Sequence, residues 1–516
     1  MQPQYSFQTD FRPELLPVKG CVDYRRLHEQ LQTIDDLLLR SGLDQIMISL
    51  ALEERRKKIS EADDRLCDLN KFLKHALIAW RTRLLIPFLD SSAPRKVAKK
   101  LADSPLCQWF CFISNFEEIN PPSKSTVARY KKAYTQEQLH QAFCLLLQQS
   151  AQNELAYDEN LDACVNLLGF EVPSDLREAW FDSTCLKPNI HFPVDWVLLI
   201  DVVKTLAKAT IILRNAGVKN RMPKGGPDQF LRRVSQISIS MGNTRRQKGG
   251  KKKRKKIFRS LDKLVKVMAQ HAQTHRDILK QSPALFDLSP GRAKQVIQRI
   301  DYVLEKLPQA RLQARERIIG ERKVKNDDKL LSLYEPDTRV IIRGKSGAEI
   351  EYGNKLMLVE NREGLITHWE LYNKTKTDTE LLVETVKQTE ANIGISLTLI
   401  CGDRGFSSEK EQETLSSENP KRKDHITLKS VPALKEAMKD EEYRTSQKRR
   451  AQTEGRVAII KNCYMPGRSL SKGLDSRRLD LSWIMLAHNL RKLAERRIRE
   501  KEAREALRQE NSAKAS

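Results

Sequence analysis

One strand-like segment of this chain is separated from the others by a long helical block. WFDSTCL (180–186) has the apolar and β-branched residues of a buried strand. Residues 195–330 carry apolar residues at three- and four-residue intervals, which predicts long amphipathic helices. Strand-like segments return at 339–373, separated by glycine-containing turns that favour an antiparallel meander. The pattern predicts a fold of the α/β class.

Helix and strand patterns alternate after the meander. TELLVETVKQTEAN (379–392) predicts a helix, and SLTLICGDRGF (396–406) is an apolar run that ends in an acid and glycine at a turn. Residues from about 439 to 463 have a helical and strongly basic pattern. Before the first strand, residues 23–150 show helical periodicity interrupted by prolines, which indicates an all-α region.

The charge balance points to a polyanionic partner. Lys and Arg total 92 against 67 Asp and Glu, a formal net charge of +25 over 516 residues. Neutralising phosphates releases condensed counterions, and this release supplies most of the non-specific affinity for nucleic acids. A basic protein that binds no nucleic acid is the alternative. The length corresponds to roughly two to four domains.

Cysteine usage and hydropathy favour a cytoplasmic protein, and the expected DNA partner would make it nucleoid-associated. The nine cysteines are scattered and have neither zinc-site nor disulfide spacing. The N-terminus lacks the layout of a signal peptide, and no run approaches the roughly 18 apolar residues of a membrane span. No membrane partner is therefore expected.

Two basic segments are candidates for DNA contact. The run RRQKGGKKKRKK (245–256) is predicted to form a DNA-facing loop, with a solvated loop as the alternative. SKSTVARYKKAY (123–134) follows a Pro-Pro turn and predicts a short basic helix of the helix-turn-helix kind, or equally a solvated surface helix. The candidate contact residues are Lys251, Lys252, Lys253, Arg254, Lys255, Lys256, Lys124 and Arg129.

Three acids occupy positions where a purely structural role is awkward. Asp182 lies within a buried strand, Asp403 follows a strand at a turn, and Glu454 lies in a helix crowded with cations. A carboxylate in a buried strand needs a partner or a metal, although a strand-end Asp often merely caps the next helix. On α-helical geometry Arg450, Glu454 and Lys461 fall within roughly 40° of arc, a pattern that repeated salt bridging also produces.

These segments resemble a known family. DSTCLKPNIHFPVDWVLL (182–199) resembles the first-aspartate motif of DDE transposases from bacterial insertion sequences, and GDRGF (402–406) resembles their second motif, Asp-x-Gly-Phe/Tyr. The spacing of Arg450, Glu454 and Lys461 matches their Tyr-Arg-Glu-Lys signature, except that the tyrosine position is Gln447, with Tyr443 one turn earlier. The similarity covers most of the chain and includes KLADSPLCQWFCFI (100–113), PPSKSTVARY (121–130) and LDLSWIMLAHNLRKL (479–493).

The resemblance implies an RNase H-like mixed sheet whose acids meet at one edge. Asp182, Asp403 and Glu454 would be the catalytic residues and would hold two Mg²⁺ ions, for which Mn²⁺ can substitute. Arg450 and Lys461 would bind DNA phosphates. The separations of the acids are 403 − 182 = 221 and 454 − 403 = 51 residues, and the longer one implies a helical insertion in the core at about 195–330.

The same resemblance implies a division of the chain and an activity. The expected parts are a helical N-terminal DNA-end-binding domain (1–150), a catalytic domain (175–490) and a charged C-terminal helix (491–516). The expected activity is cleavage of the terminal inverted repeats of a mobile element and their joining to target DNA, by a homodimer assembled on the DNA ends. The alternatives are a transposase-derived DNA-binding protein without catalysis and a metal-dependent nuclease that cuts without joining.

Overall fold

The computed structural model describes residues 12–57, 69–89, 91–113, 118–223, 225–244, 247–345 and 348–515. The helices are α1 (Val22–Arg40), α2 (Leu43–Arg56), α3 (Leu69–Leu85), α4 (Pro94–Asp103), α5 (Pro105–Phe110), α6 (Lys124–Tyr130), α7 (Gln136–Ser150), α8 (Asp195–Asn215), α9 (Pro227–Asn243), α10 (Gly250–Gln281), α11 (Pro290–Ile318), α12 (Asp378–Ile393), α13 (Glu409–Glu418), α14 (Val431–Ala437), α15 (Glu441–Ile459) and α16 (Leu474–Ala515). The strands are β1 (Ala156–Asp158), β2 (Ala163–Val165), β3 (Glu178–Leu186), β4 (Arg339–Lys345), β5 (Ala348–Glu360), β6 (Ile366–Leu371), β7 (Leu399–Cys401) and β8 (Lys423–Asp424).

The main sheet is mixed, and β3 lies at its centre. Its order is β6–β5–β3–β7–β8, with β4 paired to the first half of β5. β5 runs antiparallel to β3 and β6, whereas β7 runs parallel to β3 and β8. The α/β class, the strand at 180–186 and the antiparallel meander at 339–373 are therefore confirmed. β3 pairs with β5 even though β5 begins 348 − 186 = 162 residues after β3 ends.

Helices α8 to α11 occupy the chain between β3 and β4, and they bury a core of their own. Apolar side chains of all four helices form this cluster, among them Leu206, Phe230, Val265 and Ile300, each fully buried. The helical periodicity predicted for the block is confirmed, because these side chains lie on the facing stripes of the four helices. The block thus has the core that an independent helical unit requires.

The loop predicted for the basic run is wrong for its second half. Gly250–Lys256 form the first two turns of α10, and Gly249 before them is left-handed, with φ of 72°. Periodic apolar positions from Phe258 onward extend the helix backward through the lysines, which are good helix formers. Arg245 and Arg246, also in the predicted run, lie outside the described residues.

The N-terminal helices and the sheet share a second core, and α16 connects them. Helix α16 packs against α1, α3 and α7 on one side and against β6 on the other. Trp483 of α16 is buried beside Trp80 and Tyr134, with ring centroids 5.5 and 5.9 Å away. The charged helix predicted from residue 491 is the second half of α16, which begins at Leu474.

Local signals explain where several elements begin. Ser123 caps α6 by accepting a hydrogen bond from the Thr126 amide. Thr377 and Glu380 form a reciprocal capping box at the start of α12. Within the described ranges, no helix is both long enough and apolar enough to cross a membrane.

Candidate active site

Asp182 and Asp403 lie on neighbouring parallel strands at the same height. β3 and β7 pair in register up to Trp180 and Cys401, and each acid follows its paired residue by two positions. The backbone at Asp403 is still extended, with φ of −76° and ψ of 176°. Since residues two apart in a strand point to the same face and adjacent strands lie ~4.8 Å apart, both carboxylates project from one face of the sheet as near neighbours.

The Asp403 side chain is held by the turn that follows it. Its Oδ1 accepts a hydrogen bond of 2.8 Å from the Gly405 amide, which closes a 3₁₀ turn over Arg404–Phe406. Phe406 is fully buried and packs near Phe181 on the opposite face of β3, with ring centroids 6.1 Å apart. The geometry of a strand-end cap is therefore present at Asp403, and it leaves the Oδ2 atom without a partner in that turn.

Helix α15 passes over the part of β3 that carries Asp182. Trp180 Nε1 donates to the Ser446 carbonyl at 3.1 Å, and Lys461 Nζ donates to Thr184 Oγ1 at 3.1 Å. Trp180 and Thr184 flank Asp182 on one face of the strand, and Ser446 and Lys461 flank Glu454 in the helix. The two contacts therefore bring the helical segment with Glu454 over the strand segment with Asp182.

The Glu454 carboxylate points largely to solvent and is paired with Arg450. Its side chain is 61% exposed, and Oε1 accepts a hydrogen bond of 2.9 Å from Arg450 Nη1. Among the residues that the structure describes, no group of three or more His, Cys, Asp or Glu side chains is close enough to hold a metal ion. The three acids thus share one region, with Asp182 and Asp403 adjacent and Glu454 turned toward the arginine.

Two cations predicted beside the acids lie on the same helical segment. Lys461 lies in the π turn over Ile460–Tyr464 that follows α15, and it contacts β3 through Thr184. Arg450 Nε is buried, and it has no hydrogen-bond partner within the described part of the chain.

Gln447 occupies the tyrosine position of the signature and ties α15 to the strand after β7. Its side chain accepts from Thr427 Oγ1 at 2.9 Å and donates to the His425 carbonyl. Tyr443, one turn earlier, is buried and donates its hydroxyl to the Ile426 carbonyl at 3.2 Å. Both side chains are thus used to hold the helix on the sheet.

Two titratable side chains near the acids, Cys401 and His425, are buried. Burial raises the pKa of the Cys401 thiol to about 12, even though Arg450 nearby opposes the shift. Burial also lowers the pKa of His425, whose Nδ1 is 2.9 Å from Ser446 Oγ, so this imidazole is neutral at pH 7. Neither group is therefore a candidate nucleophile or acid at neutral pH.

The sequence interpretation missed two acids near the site. Glu360 at the end of β5 is fully buried and bridges Arg449 and Arg456 of α15. Asp378 at the start of α12 is paired with Lys355 at 2.9 Å, and its carboxylate, like that of Asp403, lies close to Gly405. Glu360 ends the apolar run KLMLVE, so an acid at a strand end was the available signal, as it was for Asp403.

The predicted DNA-contact residues outside the acids lie on two other elements. Lys124 and Arg129 are exposed on α6, whose Val127 and Tyr130 are buried. Lys251 to Lys256 lie on the first turns of α10. Comparison of the chain with known proteins finds no matching family, no matching curated protein and no matching solved structure.

Gly405 leaves no room for a side chain between two carboxylates. A Cβ there would lie 2.9 Å from Asp403 Oδ1 and 3.1 Å from Asp378 Oδ2. The φ angle of Gly405 is outside the left-handed region, so steric space and not backbone strain limits the residue at this position. If Asp403 serves DNA cleavage, as the motif resemblance implies, Gly405→Ala should displace its carboxylate and slow that reaction by roughly 10- to 100-fold, since errors near 1 Å can cost ~100-fold. Single-turnover cleavage measures the effect.

Gly242→Ala is the matched control for that change. Gly242 lies in α9, where a Cβ would meet nothing within 4 Å, so the cleavage rate of this variant should equal that of the wild type. Equal rates for Gly405→Ala and the wild type would contradict the assignment of Asp403 to the site.

Proposed function

We propose that this chain is a DNA transposase with an RNase H-like catalytic core. The observation that carries the proposal is the register of β3 and β7, which sets Asp182 and Asp403 side by side at the motif positions. The mixed strand order β6–β5–β3–β7–β8 supports the fold assignment, and the placement of α15 over β3 supports Glu454 as the third acid. The N-terminal helices (1–150) would bind the DNA ends, and residues 175–490 would form the catalytic domain with its insertion.

The residues at the site suit divalent cations of the Mg²⁺ type. Such ions prefer carboxylate oxygens, and Asp182 and Asp403 offer them from adjacent strands. Glu454 would join them by rotating its exposed side chain away from Arg450, which would free Arg450 Nη1 for a phosphate. Asp182, Asp403 and Glu454 would hold two Mg²⁺ ions, with Mn²⁺ as a substitute.

The roles of the protein groups follow from their chemistry. Bound divalent cations would activate the attacking water or 3′-hydroxyl and stabilise the leaving oxygen. Arg450 would grip a phosphate through the planar fork of its guanidinium, and Lys461 would supply a point charge at the other end of the same helical segment. The neutral His425 and Cys401 would stay out of the proton transfers, because burial keeps both uncharged.

Strand transfer is the activity that tests the proposal. The purified chain is incubated with Mg²⁺, a target plasmid and linear DNA that ends in the inverted repeats flanking its gene. We expect end cleavage, joined products with short target duplications, and a protein dimer on paired ends. Cleavage without joining would assign the chain to the nucleases instead.

A DNA-binding protein without catalysis is the second candidate, and the Arg450–Glu454 ion pair favours it. A carboxylate that stays with its arginine cannot complete a metal site. The two functions differ in the same assay, because the inactive protein would bind the repeat-ended DNA and yield neither cleaved nor joined products at any Mg²⁺ or Mn²⁺ concentration.

The first turns of α10 are proposed as a sequence-independent DNA contact. The first turn of α10 contains no acid, and its lysines lie beside the positive end of the helix dipole, which repels them. An anion bound there would be stabilised both by the lysines and by the dipole. Lys251 and Lys255 contact Glu321, at 3.4 and 2.8 Å, whereas Lys252 and Lys256 are exposed one turn apart. Lys252 and Lys256 are therefore exposed cations that Glu321 does not hold.

Replacing all of Lys251–Lys256 with Gln should flatten the salt dependence of DNA binding. Each lost phosphate contact reduces the slope of log K against log salt by ~0.9, and Gln preserves helix propensity. Lys252→Gln with Lys256→Gln should account for most of the change, measured by fluorescence anisotropy at several salt concentrations. The pair Lys251→Gln with Lys255→Gln is the control, and equal slopes for all variants and the wild type would remove α10 from the interface.

A further inference from the structure

A buried carboxylate joins β5 to the helix that carries Glu454. Glu360, at the end of β5, is fully buried and accepts from Arg449 Nη1 at 2.9 Å through Oε1 and from Arg456 Nε at 2.8 Å through Oε2. The two arginine side chains are only 9% and 11% exposed. Each oxygen of this carboxylate therefore holds a different turn of α15, at a place from which water is excluded.

The two arginines fix the rotation of α15 about its axis. Arg449 and Arg456 are seven residues apart, so they lie on one face of the helix, together with the buried Thr453. Arg449 also donates to the carbonyls of Asn361 and Arg362, at 2.8 and 3.0 Å. The helix is consequently attached to the β5 end at two positions about two turns apart, and Glu454 lies between them in sequence.

The same cluster reaches the strand of Asp182. Glu360 pairs with Trp180 in the β3–β5 ladder, and the Arg449 guanidinium lies 5.0 Å from the centre of the Trp180 ring. Trp180 in turn donates to the Ser446 carbonyl of α15 and precedes Asp182 by two residues. This one group of packed side chains therefore contacts both β3, which carries Asp182, and α15, which carries Glu454.

We propose that Glu360 is a positioning residue that sets Glu454 against Asp182 and Asp403 for metal binding, an inference that rests on the proposed function. A side-chain tip lies roughly 5–6 Å from a helix axis, so a rotation of about 10° moves the Glu454 carboxylate by about 1 Å. Displacements of that size can cost ~100-fold in rate. Glu360 touches neither DNA nor metal in this role and acts through Arg449 and Arg456.

Glu360→Gln tests the role because it keeps the volume and removes one acceptor. We expect single-turnover cleavage to fall by roughly 100-fold and the Mg²⁺ midpoint of cleavage to rise, with DNA affinity within about twofold of the wild type. Arg456→Gln should have a similar effect, and the double variant should lose little more than either single one, because the residues act through one contact. Glu363→Gln is the matched control, since Glu363 lies three residues further on and pairs with Arg496 of α16 instead.

Metal binding gives a second measurement that does not require turnover. The affinity for Mn²⁺, followed by electron paramagnetic resonance, should weaken in both Glu360→Gln and Arg456→Gln while helical circular dichroism is unchanged. An active wild type with an unaltered Mg²⁺ midpoint and Mn²⁺ affinity in both variants would overturn the positioning role alone. A wild type that binds Mn²⁺ and neither cuts nor joins DNA would overturn the proposed function, and one that binds no Mn²⁺ would overturn both.

Discussion

Replacing Asp182 or Asp403 with Asn is expected to abolish DNA cleavage and joining while leaving DNA binding largely intact. The two carboxylates stand side by side on β3 and β7, and Asn keeps their shape but loses the charge that a divalent cation requires. Metal ions contribute several kcal/mol of charge stabilisation to phosphoryl transfer, so the loss should be about 1,000-fold or more. Glu454→Gln should act in the same direction.

The measurement is single-turnover cleavage in Mg²⁺, with binding of the same fragment followed in parallel. Glu418→Gln is a suitable control, because Glu418 forms a half-exposed pair with Lys387 at the end of α13. A variant at Asp182, Asp403 or Glu454 that cuts at the wild-type rate would remove that residue from the site. Loss of cleavage together with loss of folding would show up as reduced DNA binding as well.

The strands and helices that bear the candidate acids were predictable from local patterns. The apolar run around Asp182, the run that ends at Asp403 and the basic helix of Glu454 each indicate their secondary structure through periodicity. The helix at 250–256 was not predictable in this way, because like charges favour a loop in isolation. Apolar positions from Phe258 onward, which pack into the four-helix core, extend the helix through it.

Contacts between segments that are far apart in the chain could not be predicted from the sequence. Nothing in KLMLVEN indicates that Glu360 will meet Arg449 and Arg456, about 90 residues later, because that pairing depends on where α15 crosses the sheet. The same holds for Arg477, a fully buried arginine of α16 that binds Glu335 and Asn354. Periodicity indicates secondary structure, whereas a buried charge finds its partner only through topology.

Removing Arg81 is expected to cost this chain more stability than removing any charge from its surface. Its side chain is fully buried in α3 and donates to Asp35 Oδ1 at 2.6 Å and to Asp44 Oδ1 at 2.9 Å, where Trp80 Nε1 also donates at 2.9 Å. Arg81→Met keeps most of the volume, but it leaves the buried Asp44 without its arginine and leaves Asp35 with Arg12 as its remaining cation. The free energy of unfolding should fall by about 3–5 kcal/mol, because removing one member of a buried ion pair leaves the other charge buried without its partner.

The pH dependence separates this mechanism from a simple packing defect. Burial would raise the pKa of Asp35, but attraction to Arg81, with help from Arg12, outweighs burial and holds that pKa below its ordinary value. In the wild type the Asp35 contribution is present above the pKa of an unfolded aspartate, ~3.9, and is lost as the pH falls through the lowered folded value. In Arg81→Met, the attraction of Arg81 no longer opposes the effect of burial on the pKa of Asp35. Protonating this carboxyl therefore removes a buried charge that has lost one of its two cations.

The stability difference between the wild type and Arg81→Met should therefore shrink as the pH is lowered from 7 toward about 4, since the variant gains from protonating Asp35 in this range while the wild type keeps its ion pairs. Urea denaturation followed by helical circular dichroism at several pH values measures it. Arg322→Met is the control, because Arg322 is 71% exposed in its pair with Glu316 and a surface pair contributes less than about 1 kcal/mol. A deficit for Arg81→Met that stays constant over this pH range would mean that lost packing, and not the stranded carboxylates, destabilises the variant.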